Sequence, residues 1–129
     1  MRPIVFCILL AVQPAFAVEY LLTLEQECGY AKKAFQCKNS SETSTIAQRP
    51  DGTWVGVNPS GRAVELRVMK NDEFILVLEN PVLFSGTSTI HLMKKTGRFY
   101  WSEFAYSDML KADEATVIVG RVKRLRQEP

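Results

Sequence analysis

AVELRVMKNDEFILVL, residues 63–78, holds the two apolar patterns that decide the fold. Val64, Leu66 and Val68 alternate with Glu65 and Arg67, which is the period of a strand with one dry face. Lys70, Asn71 and Asp72 then supply turn chemistry. Phe74 to Leu78 follows as an unbroken apolar run, as expected of a strand covered on both sides. Working outward, Thr53 to Val57 (TWVGV) precedes this pair across the turn NPSGR, and Glu79-Asn80-Pro81 ends it before Val82 to Phe84 (VLF). Thr87 to Met93 (TSTIHLM), the turn KKTG, Arg98 to Tyr106 and Ala115 to Val122 (ATVIVGRV) complete the series, with one helical turn expected in SDMLKADE, residues 107–114. Short strands at near-regular spacing, with Gly, Asn, Asp or Pro at most breaks, predict a mainly β fold. The expected form is a small antiparallel meander barrel or sandwich of about 6–8 strands, carrying a short disulfide-tied N-terminal segment.

The strand RFYWSEFAY is the most aromatic part of the chain. Alternation places Phe99, Trp101, Glu103 and Ala105 on one face and Tyr100, Ser102, Phe104 and Tyr106 on the other. In a barrel the first set faces the core or lines a ligand cavity, and a carboxylate there needs a partner, because burying it alone is costly. Trp54, Phe99, Trp101 and Glu103 are therefore the candidate ligand-binding residues.

The first seventeen residues, MRPIVFCILLAVQPAFA, have the layout of a secretory leader: Arg2, an apolar run from Ile4 to Val12, and small residues at Ala15 and Ala17. The expected organisation is leader 1–17, an N-terminal segment 18–48 and a β domain 49–129 with a basic tail. Cleavage leaves roughly 110 residues, one domain's worth, and a charge balance close to neutral once Arg2 is gone. That balance and export both argue against a nucleic-acid partner. The basic runs, KKTGR and the tail with Arg121, Lys123, Arg124 and Arg126, read as solvated surface; in an exported protein the tail also suits weak contact with an anionic envelope surface.

Without Cys7 the pair Cys28 and Cys37 remains, and an even pair in an exported chain favours a disulfide. The same stretch carries a conflicting pattern. Leu21, Leu24, Cys28, Ala31 and Phe35 recur at helical spacing, yet a continuous helix would hold the two cysteines about 13 Å apart along its axis. The expectation is the disulfide, with the chain broken or turned near Gly29; an unbroken helix with thiols facing different partners is the alternative. Two cysteines and the single His91 fall short of a four-ligand zinc site, and no cofactor motif occurs. Asn39-Ser40-Ser41 fits the glycosylation acceptor pattern, which matters only in a eukaryotic secretory pathway.

Gly52-Thr53-Trp54 resembles the Gly-x-Trp on the first barrel strand of the calycin group, which comprises lipocalins, avidins and small bacterial protease inhibitors of similar build. The resemblance implies a barrel end closed by Trp54, with a basic residue from the last strand, Arg121 or Arg124, packed over it. It implies binding of a small apolar ligand or inhibition of an enzyme, and no catalysis. The lipocalin Thr-Asp-Tyr signature is absent. No Gly-x-Ser-x-Gly elbow, phosphate loop or His-Glu-x-x-His occurs, and His91 is the lone candidate for a small hydrolase. The acidic pairs Asp72-Glu73 and Asp113-Glu114 fall at expected turns. The favoured function is an exported β-barrel that binds a small apolar or amphipathic ligand. The alternative is an inhibitor, partner-binding or structural envelope module without a cavity.

Overall fold

Strand alternation carries through most of the chain in the computed structural model, which describes residues 17–31, 34–57, 60–81 and 85–126. The leader and Val82 to Phe84 lie outside the described residues. The strands are β1 (Val18–Ala31), β2 (Ala34–Asn39), β3 (Thr43–Gln48), β4 (Trp54–Val57), β5 (Ala63–Asn71), β6 (Ile75–Glu79), β7 (Gly86–Met93), β8 (Arg98–Ser107) and β9 (Ala112–Arg126). There is no helix among the described residues. Neighbours pair antiparallel in the order β2-β1-β3-β4-β5-β6-β7-β8-β9, and β9 pairs back onto β1.

Two strands share one edge of β1. β3 pairs with Val18–Thr23 and β2 with Gln26–Ala31. Between them the backbone bonds Ser40 N–H to Glu25 O and Leu24 N–H to Glu42 O keep the ladder going. β2 and β3 are thus one bent stave, and the molecule is a closed eight-stranded meander barrel. Residues 18–48 are not a segment apart from the β domain: they supply two of the eight staves.

The alternative of an unbroken helix over residues 21–35 gives way to two strands, β1 and β2. A bulge between Leu24 and Gln26 inserts Glu25, which flips the inward parity from Tyr20, Leu22 and Leu24 to Glu27 and Gly29. Leu21 and Cys28 lie on the opposite face from Leu24, so the helical spacing of Leu21, Leu24 and Cys28 marks no single face. Cys28 and Cys37 are directly opposed in the ladder and joined, with Cα atoms 3.9 Å apart. Gly29 is paired mid-strand with Gln36, so the turn comes later, between Ala31 and Ala34.

Elsewhere the register refines the expectations. Leu76 and Leu78 are buried while Ile75 and Val77 are only half-buried, so the FILVL run has one core face rather than two. Val68 is exposed although it lies opposite buried Leu78, on the face of Val64 and Leu66; a bulge follows it, before Lys70. Residues 108–111 form a turn rather than a helical turn, with Lys111 in the left-handed region at φ 53°.

The core is unevenly filled along the barrel axis. Leu22, Leu76, Leu92 and Phe99 are essentially inaccessible. Each such side chain contributes roughly 1.5–3 kcal/mol. Toward one end the inward positions shrink to Ser44, Gly56 and Ser88, and space opens.

Candidate functional site

That space is a cavity of about 180 Å³. Its walls are Ile46, Leu66, Ile90 and the Trp101 ring, and Gly56, in register between Ile46 and Val64, contributes no side chain. Its rim is polar, with Ser44, Asn80, Ser88 and Glu103. Eight strands enclose an interior that side chains can just fill or that can hold one small ligand; here the small rim residues leave it unfilled at one end.

Hydrogen bonds fix the wall. The Trp101 indole N–H donates to Ser88 Oγ at 2.9 Å, and the Ser88 hydroxyl donates to Glu103 Oε1 at 3.4 Å. Ser88 is buried, so its hydroxyl both locks the indole and gives the carboxylate a neutral partner. Ser44 Oγ donates to Val57 O at 2.6 Å, tying two rim strands together.

A second, shallower concavity of about 600 Å³ lies where β1, β2 and β9 extend beyond the barrel. The register places Glu103 opposite Thr116, Thr116 opposite Gly29, and Gly29 opposite Gln36. Directly opposed residues share a face of the sheet, so this row carries the interior face of the barrel out onto the extension. Glu27 on that surface pairs with Lys38 at 3.2 Å.

The alternation reading of the aromatic strand brought Trp101 and Glu103 into the cavity. It did not bring Trp54 and Phe99 there. Phe99 is packed below, wholly buried, and Trp54 stacks on Tyr20 at the opposite end, ring centroids 6.3 Å apart and planes 13° from parallel. Arg124 sits 5.7 Å over the Tyr20 ring, one ring removed from the tryptophan. Arg121 does something different: with Arg98, its partner across β8 and β9, it shares the carboxylate of the bulged Glu25, at 2.9 Å and 3.1 Å. Glu25 thereby neutralises two opposed like charges. Of Arg126 only the backbone is described, opposite Glu19. Lys94 of the KKTGR run bonds Asn71 Oδ1 and Asp72 O at 2.6 Å.

His91 lies on the outer face, in register with Val77 and Tyr100, away from the cavity. Among the described residues no three His, Cys, Asp or Glu side chains converge as a metal site. Ser44, Ser88 and Asn80 were missed in the sequence. The available signal was a small polar residue at an inward strand position, Ser88 two before Ile90.

The outer face of the same strands carries a different feature. Phe35, Tyr30, Ala115 and Phe104 form one row across β2, β1, β9 and β8, and its three aromatics are 61%, 40% and 50% exposed. No protein-family model, curated protein or solved structure matches this chain.

Proposed function

We propose that the protein is an exported binding module that takes a small amphipathic ligand into the open end of the barrel. The observation that carries this reading is the one-sided filling of the interior: a preformed apolar cavity with a polar rim, walled by an indole whose orientation is fixed. Apolar pockets with a few placed polar groups are the usual form of small-molecule sites. Export is supported by the leader-like first seventeen residues and by the Cys28–Cys37 bond. A calycin-like barrel is supported by Gly52-Thr53-Trp54, the eight-stranded meander and the Arg124–Tyr20–Trp54 column at the closed end. The departure is that the arginine covers Tyr20 instead of Trp54.

The volume sets the ligand size. At about 30 Å³ per water-sized group, the cavity takes roughly six such groups. Linear alcohols from propanol to decanol, titrated against tryptophan fluorescence, test this. At about 0.8 kcal/mol per buried methylene, affinity should rise roughly fourfold per carbon and level off near hexanol. Val64→Phe, which puts a ring into the mouth, should keep the fold and abolish the response. A response that climbs without a plateau, or that survives Val64→Phe, refutes the cavity as the site. The exposed row of Phe35, Tyr30 and Phe104 favours a second reading, a protein-partner surface on the outer face. Its signature is a partner whose capture is lost in a Phe35→Ser/Phe104→Ser variant and retained in Val64→Phe.

A further inference from the structure

We infer that the mouth selects the charge of the ligand's head group, favouring a cationic amine over a carboxylate; this rests on the binding reading above. Glu103 is the carboxylate among the described residues lining the cavity, and no lysine or arginine is among them. The carboxylate accepts one long bond, from a neutral hydroxyl at 3.4 Å, which leaves most of its acceptor capacity directed at whatever occupies the rim.

The next polar positions along the interior face are neutral, Thr116 and Gln36. Lys38, a described cation on the extension, is held by Glu27 at 3.2 Å. Glu114, which also borders the outer concavity, adds a further negative charge. Among the described residues the two concavities are lined by Glu27, Glu103, Glu114 and Lys38.

An alkylammonium whose chain fills the cavity would place its three N–H donors at this rim. There it gains a charge-assisted bond to Glu103 and further acceptors at the Ser44 and Thr116 hydroxyls. A carboxylate in the same place would face Glu103 with no cation to offset it, and like-charge juxtaposition of this kind is how sites reject wrong ligands.

Hexylamine, hexanol and hexanoate share one chain and differ only in the head, so they are the probes, titrated at neutral pH against tryptophan fluorescence. In the wild type, hexylamine should bind about tenfold more tightly than hexanol, and hexanoate about tenfold more weakly. Glu103→Gln keeps the shape and should bring all three within about threefold of one another. Raising salt should weaken hexylamine and leave hexanol unchanged, a check that needs no variant. Equal affinities in the wild type, or an order that persists in Glu103→Gln, overturns the charge selection while leaving the cavity reading standing. Failure of all three probes overturns both.

Discussion

Gly120→Ala tests the closure of the barrel at its seam. Gly120 lies on β9, buried, between Leu24 of β1 and Phe99 of β8. A Cβ at this position would fall 2.1 Å from the Thr23 carbonyl oxygen and 2.7 Å from Phe99 Cε1. The first contact is with backbone, so relief requires β1 to move away from β9, and the second is with a ring that is fully enclosed. Overpacking alone costs roughly 1–3 kcal/mol, and each seam hydrogen bond lost adds about 1 kcal/mol. The expected destabilisation is therefore about 2–4 kcal/mol, or a fall in Tm of roughly 8–32 °C for a domain of this size.

Urea unfolding followed by tryptophan fluorescence and circular dichroism measures it. Phe99→Leu in the same chain removes only the ring contact and should not restore stability. The control is Gly29→Ala on the same strand pair, where a Cβ meets only the Ala115 oxygen at 3.7 Å, an ordinary contact that should change stability by no more than about 0.5 kcal/mol. A Gly120→Ala protein within 1 kcal/mol of wild type, by the same overpacking scale, would mean that β1 and β9 do not meet as described.

Two other perturbations probe the extension and the turns. Cys28→Ala/Cys37→Ala should lose about 2.7 kcal/mol, from closure of a loop of about ten residues, which speeds every amide that exchanges by global unfolding; because β2 pairs only with β1, residues 26–39 should gain more than that shared rise, and an equal gain in β6 and β7 would contradict the topology. Asp72 accepts the N–H groups of Phe74 and Ile75 at 2.8 and 2.9 Å, bonds to Ile75 and Phe74 that hold its carboxyl below the ordinary 3.8; its contribution to the β5–β6 turn is then present above about pH 4 and lost as the pH falls through the depressed value, and an NMR titration midpoint at or above 3.8 would refute those bonds.

The strand half of the fold was legible because its signals are local. Alternation at Val64 and Leu66, and turn residues at Asn71 and Asp72, need no tertiary information. The bulges were not legible. Nothing around Glu25 announces an inserted residue; the arginines it meets, Arg98 and Arg121, come from distant strands. Val68 keeps the inward register, opposite buried Leu78, yet is 41% exposed, which alternation alone could not show. At the site, the face shared by Trp101 and Glu103 followed from period two. Which aromatics bound a void and which fill the core depends instead on position along the barrel axis, and so on small residues such as Ser44, Gly56 and Ser88 contributed by other staves.

The seam between β1 and β9 has a temporal meaning as well as a spatial one. Its register partners are separated by roughly a hundred residues of chain, so the contacts that close the barrel carry the largest loop-closure entropy in the molecule. A chain made from its N-terminus has β1 available first, and that strand waits, one edge unpaired, until the last stave is complete. The cavity comes into being at the same late moment, because its wall of Trp101 and Glu103 sits on β8, the strand that β9 locks in place. On the proposed reading, the cavity forms only with the last stave, and an incomplete barrel offers no such cavity.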